Sequence, residues 1–259
     1  MPTALVTGAT AGIGAAFARR LALARYDLVL VARGADRLAD AAAELSERWT
    51  IAAQTIAVDL STVDGCAEVE ERLADADRPV DLLVNNAGIS LHRPFSKNTA
   101  DDEERLIRLN VVAVMRLTHA ALGAMTARHS GAIINVSSVA GFGAAMPGST
   151  YPASKAWVTN FSESVGQPAR KHGVKVMALC PGFTHSEFHD TAGIDMGHLP
   201  EFVWLDADQV VSTGLRDLRR GKLVSVPTVR YKVASAALAH LPRAVLHRVP
   251  NMGGSRTRE

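Results

Sequence analysis

The strongest constraint on this chain is a repeating alternation. Short apolar runs occur at Ala4–Val6, Leu28–Val31, Ile51–Val58, Asp81–Val84, Ala132–Val136 and Val174–Leu179, and a helix-length segment separates each from the next. Runs that are apolar without interruption suit strands buried on both faces, and strands joined through helices must lie parallel. Such crossovers are right-handed. The alternation therefore predicts an α/β fold, a doubly wound parallel sheet with helices on both faces.

Composition is consistent with one domain of this kind over residues 1–250. The chain has 259 residues, 47% of them hydrophobic, with mean hydropathy +0.08, enough for a large core. No apolar run approaches the roughly eighteen residues that span a bilayer. The N-terminus MPTALVTG has no basic region and opens directly on a strand, so no signal peptide is expected. Cys66 and Cys180 are too few and too far apart for a disulfide framework or a zinc site, and a reduced cytoplasmic setting follows as an expectation. The net charge is +2 without a basic block and aromatics are 5%, which argues against a nucleic-acid partner. Ser61 reads as the N-cap of a helix with Asp64 at its capping-box position. Asn251–Glu259 is polar and glycine-containing and is expected to be a disordered tail.

The first strand runs into Thr7-Gly8-Ala9-Thr10-Ala11-Gly12-Ile13-Gly14, and an alanine-rich helix with Ala16, Phe17 and Leu21 on one face follows. Glycines allow a tight turn and close approach of a pyrophosphate, whose charge is favoured at a helix N-terminus. The spacing is GxxxGxG rather than the general GxGxxG, so the context of strand, turn and helix carries the reading. After the second strand comes Arg33, with Arg37 one helical turn later. An acid at this place holds a ribose 2′-hydroxyl, whereas an arginine accommodates a 2′-phosphate. Arg33 thus favours NADP(H) over NAD(H), and Asp36 reads as decoration of a helix's first turn.

A second constellation lies between 138 and 155. Tyr151 and Lys155 are four apart and share a helix face. A phenol loses its proton near pH 10, and a nearby ammonium is expected to lower that value. Ser138 stands thirteen residues before Tyr151, at the carboxyl end of the run 132–136, where open α/β sheets keep their sites. Ser137 is its rival, and Cys180 reads as a buried strand residue.

In this order the motifs resemble the short-chain dehydrogenase/reductase family, with a Rossmann-type fold and ketoacyl-reductase-like members. The resemblance covers roughly residues 3–190. It implies that Gly8, Thr10, Gly12, Ile13 and Gly14 belong to the cofactor turn and that Asp59 contacts adenine. It implies that Asn86, Ala87 and Gly88 of the run Asn85–Gly88 lie beside the cofactor. Asn110, Ser138, Tyr151 and Lys155 correspond to the catalytic tetrad, with Tyr151 and Lys155 also touching the nicotinamide ribose. Pro181, Gly182 and Ser186 match PGxxxT, with serine where the family often has threonine. Ala11 replaces the basic residue that some NADP-dependent members carry before the second glycine. The implied mechanism is hydride transfer with Tyr151 as proton donor or acceptor. Ser138 would hold the substrate oxygen, Lys155 would lower the phenol pKa, and Asn110 would hold a relay water. No metal is implied.

The loop from Phe183 to Trp204 carries Phe183, Phe188, Ile194, Met196, Leu199, Phe202 and Trp204, which suggests a small apolar carbonyl or alcohol as substrate: a ketone, a 3-oxoacyl thioester, or a steroid- or retinoid-like compound. His185 and His189 are four apart, but no third ligand has clear spacing, so no metal site is expected. The segment Thr228–Val249, interrupted by Pro242, reads as a helix packed on the body, with membrane-surface contact as the less favoured alternative. The resemblance further implies a homodimer or homotetramer paired through helices near 101–128 and 151–171, where Trp157 and Phe161 are compatible with an interface. A cofactor-binding sensor without turnover is the competing function, and the intact Ser138, Tyr151, Lys155 and Asn110 argue against it.

Overall fold

A computed structural model describes residues 1–91, 93–143, 150–185 and 200–240. Seven parallel strands form one sheet in the order β3-β2-β1-β4-β5-β6-β7. The strands are β1 Thr3–Thr7, β2 Asp27–Ala32, β3 Ala53–Ala57, β4 Leu82–Asn85, β5 Gly131–Val136, β6 Val174–Leu179 and β7 Val224–Ser225. The helices are α1 Gly12–Leu23, α2 Ala35–Trp49, α3 Val63–Ala74, α4 Ala100–Ile107, α5 Val114–Ala127, α6 Tyr151–Ala169, α7 Ala207–Arg219 and α8 Val229–His240.

Side chains alternate across the pleat, so each strand feeds two cores. Ala4, Val6, Leu28 and Leu30 pack with Phe17, Leu21, Leu38 and Val210 on one face. Leu5, Val29, Val31 and Leu83 pack with Val69, Leu73, Leu117 and Met125 on the other. Apolar residues on both faces are what makes the runs continuous in the sequence.

The register of β1 is fixed on both sides, with Leu5 opposite Val29 of β2 and Leu83 of β4. Strand order reverses at this pair, so a crevice opens beyond the carboxyl ends of β1 and β4. The turn after β1 and the turn after β4 meet there. Thr7 Oγ1 accepts from the backbone amides of Asn86 at 2.9 Å and Ala87 at 3.0 Å, and Asn86 Nδ2 donates to the carbonyls of Thr7 at 3.0 Å and Gly8 at 3.2 Å. A Cβ on Gly14 would lie 2.0 Å from the Gly8 carbonyl, so the turn can fold back on α1 only around a glycine.

Several boundaries differ from the sequence reading. β3 is shorter than 51–58 because it is the edge strand, paired on one side only. The cap of α3 is Thr62, whose hydroxyl accepts from the amide of Gly65 at 3.1 Å, rather than Ser61. Ser61 instead donates its amide and hydroxyl to Asp59, at 2.9 and 2.7 Å. β7 is two residues long, too short for any periodicity to reveal. The predicted helix from 101 to 128 is present, but Arg108–Ala113 within it is π-helical. By length and composition the stretch Ala100–Ala127 could cross a membrane, against the expectation that no apolar run is long enough. Its Leu106, Leu117, Ala121 and Met125 are instead buried in the protein, as in a core helix. The segment after His240, including Pro242 and the tail 251–259, lies outside the described residues.

Candidate active site

β5 ends at Val136, and the two serines that follow it part company. Ser137 is buried, donates to the Lys155 carbonyl at 2.7 Å and shares a hydrogen bond of 2.8 Å with Thr159. It fastens the strand to α6. Ser138 turns the other way, caps the short 3-10 turn Val139–Phe142 by accepting from Ala140 N at 3.2 Å, and hydrogen-bonds the Tyr151 phenol. The spacing argument for Ser138 over Ser137 thus has a geometric counterpart.

Tyr151 is the first residue of α6, and Lys155 lies one turn on. The ammonium stands 5.7 Å from the centre of the phenol ring and donates to the Val136 carbonyl at 2.9 Å. Lys155 is 5% exposed, so its charge has been taken almost wholly out of water. Burial pulls its pKa down to about 8. Burial pushes the Tyr151 phenol up to about 12, against a smaller downward pull from the Ser138 hydroxyl. The sequence reading expects the ammonium to lower the phenol's pKa; in the protein alone, desolvation is the larger effect. At pH 7 the site therefore holds a protonated phenol beside a mostly protonated lysine.

Asn110 sits in the π-helical segment, fully buried. Its Oδ1 accepts from Ile89 N at 2.9 Å, and its Nδ2 donates to Ile89 O at 2.9 Å and Ser154 Oγ at 3.3 Å. The carboxamide thus clamps the chain just past Gly88 to α6. A Cβ on Gly88 would stand 3.1 Å from Asn110 Oδ1 and 3.5 Å from Lys155 Nζ, so glycine keeps the space between those two atoms open. Oδ1 has a second lone pair left for a bridging water.

Across the crevice, the N-terminal amides of α1 have no side-chain cap, because its N-cap residue is Ala11, and no acid stands in its first turn. These amides suit a phosphate. Arg33 is exposed just beyond β2, and Arg37 donates to the Thr10 carbonyl at 3.2 Å, which sets a guanidinium against the glycine turn. Asp36 lies in the first turn of α2. At Asp59, burial pushes the carboxyl's pKa up. Hydrogen bonds from Ser61 and the charges of Arg105 and Arg33 outweigh that effect, and the pKa ends below its ordinary value. Arg105 reaches Asp59 at 3.3 Å across 46 residues of sequence, a partner that no local pattern signals. Turn, amides and arginines together fit a dinucleotide phosphate.

Pro181 accepts from Val139 N at 3.0 Å, which ties the end of β6 to the Ser138 turn. The stems of the following loop are pinned. Tyr231 on α8 accepts from Phe183 N at 3.2 Å and donates to Val203 O at 2.8 Å, while Arg230 donates to Trp204 O at 2.9 Å. His185 stacks on Trp204 with ring centres 4.6 Å apart. Among the described residues no group of three metal-ligating side chains assembles. Ser186, Phe188, His189, Ile194, Met196 and Leu199 lie outside the described residues.

The family model for short chain dehydrogenases matches residues 2–196. The chain belongs to the short-chain dehydrogenase family. As a short-chain dehydrogenase it is an oxidoreductase, and its likeness to solved members extends over the whole chain. A short-chain dehydrogenase from Sphingobium yanoikuyae, solved in complex with NADPH, is 34% identical with TM-score 0.85, covering 99% of both chains. A bulky-bulky ketone specific alcohol dehydrogenase from Comamonas testosteroni is 30% identical with TM-score 0.81, covering 98% of this chain and 97% of that one. A very-long-chain 3-oxoacyl-CoA reductase from Laccaria bicolor is 36% identical over 188 residues, which are 71% of this short-chain dehydrogenase and 55% of the relative. The match thus spans little more than half the length of that reductase.

The low pKa of Lys155 has a stability signature. Between about 8 and the ordinary value of 10.5 the unfolded chain keeps this proton and the folded chain releases it, so stability rises with pH across that window. Cys180, pushed up to about 11 by burial, works the other way above pH 9, so the signature is a difference: by urea unfolding, the wild type should gain stability from pH 7.5 to 9.5 relative to Lys155→Met.

Proposed function

We propose that this short-chain dehydrogenase interconverts a carbonyl and a secondary alcohol on an apolar substrate with NADP(H). The observation that carries the reading is the convergence of the Tyr151 phenol, the Ser138 hydroxyl and the Lys155 ammonium at the carboxyl end of β5, beside the crevice where the glycine turn lies. The relatives named for NADPH, for bulky ketones and for 3-oxoacyl-CoA support the same class of substrate.

Ser138 donates a hydrogen bond to the substrate oxygen and orients it toward Tyr151. The phenol, fully protonated at neutral pH, gives its proton to that oxygen as the carbonyl is reduced. The nicotinamide, when bound, supplies or accepts the hydride. Lys155 then faces a phenolate, and its charge, costly while unpaired in the interior, becomes favourable. The proton returns to Tyr151 by way of Lys155 and a water in the space that Gly88 leaves open toward Asn110. In the oxidative direction Tyr151 must start as phenolate, so oxidation should gain with rising pH. The glycine turn and the amides of α1 would hold the pyrophosphate of a bound dinucleotide, Asp59 would meet its adenine, and Arg33 with Arg37 would take a 2′-phosphate. The aromatic stems at Phe183 and Trp204 give the substrate side an apolar wall. We also assign α5 and α6 as the self-association surface: Trp157 and Phe161 stack on α6 with ring centres 4.6 Å apart and are half-exposed, and Met115 of α5 is 42% exposed.

With NADPH and a panel of benzil, acetoacetyl-CoA, a long-chain 3-oxoacyl-CoA and a 3-ketosteroid, Tyr151→Phe should lose at least ~100-fold in kcat and keep its affinity for NADPH. Retained turnover would reject Tyr151 as the acid, and full NADPH binding without turnover in the wild type would favour a sensor. Arg33→Ala should weaken NADPH roughly tenfold to a hundredfold in a fluorescence titration and leave NADH almost unchanged. Light scattering at micromolar concentration should give a dimer or tetramer, and Trp157→Glu should shift it toward monomer.

A further inference from the structure

The residue before Tyr151 is held by a carboxylate from a distant part of the chain. Glu103, in the first turn of α4, is only 7% exposed. Its Oε2 accepts from the backbone amide of Thr150 at 3.2 Å and from the Thr150 hydroxyl. Its Oε1 accepts from Asn98 Nδ2 at 2.7 Å, and the same Asn98 nitrogen donates to the Arg93 carbonyl at 3.2 Å. Among the described residues no cation pairs with this carboxylate.

A buried carboxylate without a counter-ion is costly unless donors converge on it. Here three do, and the N-termini of α4 and α6 both favour negative charge at that point. Thr150 gives something up in this arrangement. It occupies the N-cap of α6, where a threonine ordinarily accepts from its own helix, yet it makes no such bond, and its hydroxyl is directed to Glu103 instead. The ordinary cap would have stabilised the helix. That exchange makes sense if what is being fixed is the start of α6 rather than its length.

We propose that Glu103 and Thr150 are positioning residues for Tyr151. Tyr151 is the first residue of its helix, the end of a helix that frays most readily. On its carbonyl side the chain is held by Ser154, whose hydroxyl donates to Tyr151 O at 2.7 Å and accepts from Asn110. On its amide side the hold is Glu103 through Thr150. Together they fix the phenol relative to Ser138, and small displacements of a catalytic group cost rate steeply. The inference rests on the reading of Tyr151 as the acid, since a phenol with no proton to deliver needs no such hold.

The test compares Thr150→Val, Thr150→Ser, Glu103→Gln and the double variant Glu103→Gln/Thr150→Val in the full chain, with NADPH and the fastest ketone of the panel above. Thr150→Val keeps the amide donor and the side-chain volume, so it folds even if Glu103→Gln does not. We expect kcat to fall about tenfold in Thr150→Val and in Glu103→Gln, with KM for the ketone and Kd for NADPH within about twofold. Thr150→Ser should recover kcat to within about twofold, and the double variant should be no worse than the worse single one. An unchanged kcat in Thr150→Val, or a loss seen only as a lower melting temperature, overturns the inference. Tyr151→Phe, run beside them, separates the two failures. If it is dead while Thr150→Val is fully active, only the positioning role falls. If Tyr151→Phe is active, the acid assignment falls and the positioning role with it.

Discussion

The knot between the turns after β1 and β4 carries the rest of the structure. A parallel sheet wound outward from its middle has one place where its two halves separate, and here that place is bridged by Thr7 Oγ1 and the Asn86 side chain. The strands on either side are apolar on both faces and would close over any gap. Four hydrogen bonds among short, half-buried polar groups instead hold the two loops at a fixed separation. The glycine turn lies on one side of that opening. The path to Gly88, Ile89 and Asn110 starts on the other.

From there the chemistry is governed by desolvation. Lys155 is placed so deep that its pKa drops to about 8, and the surroundings of the partly buried Tyr151 push its phenol up to about 12. Both are strained toward neutrality, in opposite directions, by the same low-dielectric surroundings. The buried ammonium would be relieved by a phenolate beside it. If Tyr151 acts as the proposed acid, a proton leaving the phenol would create the negative charge that the ammonium has lacked, and the two burial penalties would partly cancel. Electrostatic help reserved for a later state in this way favours the transition over the resting site.

Much of the fold was legible because its signals are local. Six strands, the turn Thr7–Gly14 and the pair Tyr151 and Lys155 each announce themselves within a few residues. The features that escaped are those with no local period. β7 is too short, and the edge strand β3 is trimmed by having one neighbour. Thr62 displaced Ser61 as cap because Asp59 claims Ser61 first. Arg105 meets Asp59, and Glu103 meets Thr150, only after the chain has folded. The pKa order of Tyr151 and Lys155 was also beyond the sequence, since four-residue spacing states that the groups are near but says nothing of how deeply they lie.

The π-helical stretch Arg108–Ala113 has a consequence for how this enzyme could have arisen or could be altered. A π turn holds one residue more than an α turn, so it acts as a phase shifter between α4 and α5. Residues before it, including Glu103 and Leu106, and residues after it, including Leu117 and Ala121, are each in register with their own surroundings but not with one uninterrupted α-helix. Wound as a plain α-helix without that extra residue in the turn, the same sequence would turn everything on one side of the stretch by about 100° relative to the other. The chain would keep its strands and its glycine turn. Asn110 would no longer face Ile89, and a folded, dinucleotide-binding protein without its chemistry would remain.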